Sequence, residues 1–199
     1  METISNDLSI FTNRNENGIK LSDRLNTVLT NSKYFDVLVG YFRVTGFYLL
    51  KEQLEDVEEI RILIGLGTDI DTVRAIDIFE LSGANAVLKV KETLKKEFNS
   101  TQDDNLDMEN GVITFCEWIK SGKLKIRMCH DKNVHAKLYI IRKNPEIVPD
   151  QFGNLITGSS NFTYNGLDKN IEFNVELKDR ADVQYALDFF EELWNTSKD

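Results

Sequence analysis

Apolar positions along the chain fall into two rhythms, one with the spacing of a helix face and one of short, nearly continuous runs. Leu21, Leu25, Val28 and Leu29 recur at helical spacing behind Ser22-Asp23, which supplies a cap, and predict a first helix. Tyr34 to Phe42 is short and dense in aromatic and β-branched residues, so it reads as a buried strand ending near Arg43. Thr45-Gly46 then opens a second helix with Phe47, Leu50 and Leu54 on one face. Glu59 to Leu66 is a second buried strand closed by Gly65 and Gly67, which makes a strand–helix–strand unit of the right-handed parallel kind. An acidic third helix is expected over Asp69 to Leu81 and helical spacing continues over Ala86 to Phe98, followed by a polar, flexible loop over 99–110.

The second half repeats the alternation. Gly111 to Ser121 reads as helix, and Leu124 to Cys129 as a strand with Lys125 and Arg127 on the face opposite Leu124, Ile126 and Met128. Val134 to Ile141 and Leu155 to Thr157 read as strands separated by a loop with both prolines, Pro145 and Pro149. Ile171 to Leu177 is a further strand, and Ala181 to Trp194 an amphipathic helix burying Val183, Leu187, Phe190 and Trp194. The expected fold class is α/β: a mixed, largely parallel β-sheet flanked by helices on both faces. At 199 residues and 41% hydrophobic content the chain can bury this as a single domain, 1–199, with a polar N-terminal segment over 1–20.

Two cysteines, Cys116 and Cys129, lack any paired-motif spacing and read as reduced, buried thiols. The N-terminus has no basic and apolar signal pattern, and the longest apolar run falls far below the roughly 20 residues of a membrane span. These features predict a soluble, cytoplasmic protein without a membrane partner.

Charge adds a localised feature. The formal net charge is -9, yet Lys120 to Lys143 holds eight basic residues against Asp131 alone, a local +7 that leaves -16 for the remainder. Steering of a polyanion needs positive potential, so nucleic-acid contact is expected on this stripe only. His135 lies within it.

Three strand-like segments carry polar residues that a plain core strand would not choose. In Val134 to Ile141, His135 and Lys137 share a face, about 7 Å apart at roughly 3.3 Å per residue, and both could touch one phosphate. In Gly158-Ser159-Ser160-Asn161 a glycine permits a sharp turn, and hydroxyl and amide donors can meet phosphoryl oxygens. Glu172, between Ile171 and Phe173, could orient an imidazole. Singly, each has an ordinary explanation: an edge-strand pair, a turn, a solvent-facing carboxylate. Their ordered combination in one basic region points to phosphate chemistry.

At these residues the sequence resembles the phospholipase D superfamily, whose signature is His-x-Lys followed by Gly-Ser-x-Asn. His135 and Lys137 match the first part; Gly158, Ser159 and Asn161 match the second. The upstream strands around Val39-Gly40-Tyr41-Phe42 and Glu59 to Gly65 also look like the opening of that fold. The family's frequent Asp would fall at Arg142; nuclease-like members, with a Glu eleven residues beyond the Asn, resemble this chain better, here through Glu172. His130-x-Lys132 is an alternative pair, placed second because Asp131-Lys132-Asn133 looks like a turn.

The resemblance implies a phosphodiesterase or nuclease acting on DNA without metal or other cofactor. His135 would form a phosphohistidine, with Lys137, Asn161 and Ser159 on the phosphoryl oxygens and Glu172 holding the imidazole. One motif per chain, where the family uses two, implies a homodimer with the site at its interface. Two alternatives come from other classes. One is a non-catalytic DNA-binding or dimerising module of a larger helicase or restriction-type protein. The other, least favoured, is a lipid phosphodiesterase.

Overall fold

The computed structural model describes residues 8–14, 18–65, 114–129 and 134–197. The helices expected over 69–81 and 86–98, the polar loop 99–110 and the pair His130 and Lys132 lie outside the described residues.

A seven-stranded sheet organises the described chain in the order β1-β7-β6-β5-β2-β3-β4. Its strands are β1 (Ile10–Thr12), β2 (Ser32–Val39), β3 (Glu59–Ile64), β4 (Leu124–Met128), β5 (Leu138–Lys143), β6 (Gly153–Gly158) and β7 (Phe173–Leu177). The helices are α1 (Leu21–Val28), α2 (Val44–Tyr48), α3 (Lys51–Leu54), α4 over residues 114–121 and α5 (Arg180–Thr196), with a π-helical turn at Asn165–Lys169.

The sheet separates two cores by strand alternation. Phe35, Val37 and Val39 of β2, with Ile60, Ile62 and Ile64 of β3 and Tyr139 and Ile141 of β5, face α1 to α4 and join Leu25, Phe47 and Phe115. Leu38, Leu63, Ile140 and Leu155 face the other way, under Val183, Leu187, Phe190 and Trp194 of α5. Each such side chain contributes about 1.5–3 kcal/mol on full burial. Helix α5 starts where its sequence allows it to: Asp179 accepts a hydrogen bond from the Ala181 N–H at 2.8 Å and caps the first turn.

The mixed α/β sheet with helices on both faces agrees with the sequence-based expectation. Its parallel share is smaller: β2–β3 and β3–β4 are parallel, while β1–β7, β2–β5, β5–β6 and β6–β7 are antiparallel. Part of the reason lies in the connections, because the link from β5 to β6, residues 144–152, is too short to carry a crossover and returns the chain antiparallel.

Several boundaries also move. The polar N-terminal segment contributes a strand, β1, whose Phe11 is buried and which pairs with β7. Three residues among polar neighbours are too few to show a period. The expected helix after Thr45 is two short ones, α2 and α3, separated by Leu49 and Leu50. The strand expected from Val134 begins only at Leu138, and the one expected from Ile171 only at Phe173, so His135, Lys137 and Glu172 precede their strands.

Candidate phosphate-handling site

Sheet topology brings five segments to one end. Strands β2 and β3 are parallel, so the chain leaves both here, at Gly40 and Gly65. Strand β5 runs against β2, with Leu138 opposite Leu38, so residues 134–137 enter at the same end. The exit of β6 at Gly158 and the entry of β7 at Phe173 complete the set.

Two glycines make these approaches possible. A Cβ on Gly65 would lie 2.5 Å from the Val134 carbonyl oxygen, which presses the His135 segment against the end of β3. A Cβ on Gly158 would lie 2.3 Å from the Phe173 carbonyl oxygen, so only glycine admits the β6–β7 contact that holds Ser159 beside Glu172.

His135 is exposed, and Lys137 is half-buried with its backbone carbonyl accepting from Thr157 Oγ1 at 2.9 Å. Lys137 Nζ donates to the His135 carbonyl at 2.9 Å and lies 3.4 Å from His135 Nδ1. A Cβ built on Gly40 would lie 3.9 Å from Lys137 Nζ and 3.7 Å from Asn161 Oδ1, so the ammonium and the amide both stand beside Gly40. Asn161 Oδ1 accepts from the Tyr41 N–H at 3.0 Å. That bond fixes the amide, and its Nδ2 is the end with donors to offer.

Ser159 Oγ donates to the Glu172 carboxylate and accepts from the Phe173 N–H at 3.1 Å. Asn170 Nδ2 donates to the other Glu172 oxygen at 3.3 Å. Both carboxylate oxygens are thus engaged. No hydrogen bond among the described residues joins Glu172 to His135, and the orienting contact expected from the sequence is replaced by this grip on the Gly158–Asn161 turn.

Three supports escape a reading of the sequence. Asn13, at the end of β1, accepts from the Glu172 N–H at 3.0 Å and donates to the Asn170 carbonyl at 2.6 Å. Tyr139, fully buried, donates to the Ser160 carbonyl at 3.0 Å, and burial, reinforced by the Glu172 charge, holds its hydroxyl well above the ordinary value of 10. It therefore stays a neutral donor. Ser160 Oγ donates to Asn174 Oδ1 at 3.1 Å with both residues buried. Polar Ser160 and Asn174 inside apolar segments were the available signal; Asn13 gave none.

The basic stripe does not gather at this end. Lys125 pairs with Glu59, Lys123 Nζ donates to the Glu55 carbonyl at 2.6 Å, and Arg127 Nη1 donates to the Trp194 carbonyl at 3.2 Å with its guanidinium over that ring. Arg142 and Lys143 lie at the opposite end of β5, donating to Asp36 at 2.9 Å and to the Thr30 carbonyl at 2.8 Å. Of the described members, Lys137 is the one at the site. Arg142, standing where the family frequently has Asp, lies at the far end of β5 from His135 and pairs with buried Asp36, out of contact with the candidate site residues.

Residues 27–194 match the model of the family described as cardiolipin synthase, PLD-like domain, and the chain belongs to this phospholipase D-like family. No curated protein matches the sequence. Among solved structures, phosphatidylserine synthase from Haemophilus influenzae is 16% identical, with 95% of this chain and 39% of that chain covered, at a TM-score of 0.54. NucT from Helicobacter pylori is 13% identical, covering 95% and 96%, at a TM-score of 0.49. Nuc, a phospholipase D family member from Salmonella typhimurium, is 14% identical, covering 96% and 95%, at 0.48. The likeness to the synthase is one of fold.

Proposed function

We propose that the protein is a phosphodiesterase that cleaves nucleic acid, DNA in the first instance, through a phosphohistidine at His135. The observation that carries this is the gathering of His135, Lys137 and Asn161 at one end of the sheet, with Lys137 Nζ 3.4 Å from His135 Nδ1 and a Cβ built on Gly40 lying 3.9 Å from Lys137 Nζ and 3.7 Å from Asn161 Oδ1. An imidazole, an ammonium and an amide in one place are the groups that a phosphoryl transfer uses.

In the first step His135 nitrogen bonds to phosphorus and the bond to the leaving oxygen breaks. Lys137 and the Asn161 amide balance the charge that grows on the non-bridging oxygens. Ser159, held by Glu172, presents the Gly158–Asn161 turn to the same group. Water then displaces the imidazole and releases the phosphate monoester. Positive charge comes from Lys137, so the reading requires no metal, and turnover in EDTA is expected.

A proton for the leaving oxygen calls for a second acid. With one His-x-Lys motif per chain, the His135 of a second copy supplies it across a two-fold axis, which makes the active species a homodimer. Light scattering at working concentration is expected to give twice the chain mass.

The deciding experiment compares native protein with His135→Ala on bis-p-nitrophenyl phosphate and plasmid DNA in EDTA. Loss of at least about a thousandfold on both, with a phosphoryl adduct on His135 trapped at alkaline pH, supports the reading. Salt-dependent DNA binding with no turnover in the native protein would select a binding module instead, of the kind that serves a larger helicase or restriction-type protein. Hydrolysis of phospholipid vesicles alone would select a lipid substrate. Among the described residues no helix is long and apolar enough to cross a membrane.

A further inference from the structure

Next to the phosphate-facing residues is a separate pocket of about 330 Å³, whose walls include Tyr41, Arg43, Asn161, Tyr164, Asn170 and Glu172. It shares Asn161 and Glu172 with the site above and adds two aromatic rings, a guanidinium and an amide. Ligand pockets run from about 300 to 1,000 Å³, so this one has room for a single monomer-sized group.

The backbone explains why Tyr41 and Arg43 both line it. Phe42 between them is fully buried, stacked on Phe162 with ring centroids 5.5 Å apart, and is paired to Phe162 by an isolated parallel bridge. In extended backbone the neighbours of an inward residue point outward. The Arg43 N–H donates to the Phe162 carbonyl at 2.9 Å, and the Tyr41 N–H to Asn161 Oδ1 at 3.0 Å, which ties this short stretch to the phosphate-facing turn at two points. The Tyr41 side chain nevertheless stands in solvent, the residue being 46% exposed. An exposed aromatic ring on a fixed root, one residue from Gly40, has no role in the core.

An exposed π face in the same pocket wall as amide and guanidinium groups complements a nucleobase: the ring can stack on the base, and the polar groups can meet its edge or the sugar hydroxyls. Resting on the phosphodiesterase reading, we propose that this pocket takes the nucleoside esterified to the reacting phosphate, stacked against Tyr41. The substrate is then a nucleotide ester rather than any phosphodiester. A base in a duplex is stacked and paired on both sides and enters a one-monomer pocket only after unpairing, so unpaired strands are favoured.

Two esters that differ only in this group test the assignment: thymidine p-nitrophenyl phosphate and methyl p-nitrophenyl phosphate. The native protein is expected to favour the thymidine ester in kcat/KM by about tenfold or more, the contribution of one base–aromatic stack. Tyr41→Ala is expected to remove that preference and Tyr41→Phe to retain it. A native ratio near one, or a ratio unchanged in Tyr41→Ala, overturns the proposal. Hydrolysis of neither ester by the native protein refutes the phosphodiesterase reading itself. The pocket is then judged by fluorescence anisotropy of a labelled oligothymidylate: about tenfold weaker binding to Tyr41→Ala, and weaker binding of the matching duplex to native protein, sustain it; equal affinities overturn it. Turnover of phosphatidylglycerol vesicles that falls in Tyr41→Ala also overturns it, because the ring would then serve a lipid headgroup.

Discussion

Replacing Asp36 with Ala tests how the sheet that carries the site is held together. Asp36 is wholly buried in β2, where its Oδ1 accepts from Arg61 Nε at 2.6 Å and its Oδ2 from Arg142 Nη2 at 2.9 Å. Arg61 also reaches Glu191 of α5 at 2.6 Å and lies over the rings of Phe190 and Trp194. One carboxylate therefore links β2, β3 and β5 and, through Arg61, the helix above them. The Arg61 side chain is 10% exposed and that of Arg142 21%, so the first cannot recover its lost partner from water while the second partly can.

Breaking a buried pair costs about 3–5 kcal/mol, since an uncompensated charge is left behind. Against a typical stability of about 5–15 kcal/mol that is a large share. In a domain of this size each kcal/mol corresponds to about 2–4 °C, so the thermal midpoint of Asp36→Ala should fall by roughly 6–20 °C. The double variant Asp36→Leu with Arg61→Met removes both buried charges, keeps apolar volume and should recover most of the loss, because the two partners left over, Arg142 and Glu191, are 21% and 38% exposed and can turn to water. Urea unfolding of native, single and double variants measures all three. A loss under about 1 kcal/mol in Asp36→Ala, or a double variant no better than the single, would refute the argument.

Further outcomes concern protonation. Burial opposes ionisation of Asp168, but hydrogen bonds and charges from Lys20 and Lys169 overcome it and hold its pKa below the ordinary 3.8. A depressed carboxylate adds stability that is present above its unfolded pKa and lost as pH falls through the folded one. The urea midpoint should therefore drop in this acid range, and Asp168→Asn should be less stable at pH 7 with a shallower acid loss; an unchanged acid profile would contradict it. Burial pushes the Cys116 thiol up to about 11, so at pH 8 only about one molecule in a thousand carries the thiolate. Its labelling by a disulfide reagent should be slow in the native protein and fast in urea, and labelling at a free-thiol rate would show that the α4 packing is wrong.

The sequence by itself determined the local elements and the chemistry-bearing residues. Periodicity located α1, α5 and the strands from β2 to β7 to within a few residues, because burial on one side of an element writes itself into spacing. His-x-Lys and Gly-Ser-x-Asn were legible as motifs, since the family signature is a matter of residue type at fixed spacing. Tertiary structure decided what those residues touch. Tyr41 meets Asn161 across 120 positions and Asn13 meets Glu172 across 159, separations over which no pattern runs. The basic stripe looked like one surface in one dimension. Yet β4 and β5 lie on opposite sides of β2 and β3, and two of its charges, Lys125 and Arg142, answer Glu59 and Asp36, neighbours that only the pairing of strands supplies. Glu172 was likewise legible as a candidate carboxylate, but its partner was not. Strand register at Gly158 places Ser159 within its reach, and register is a property of the assembled sheet.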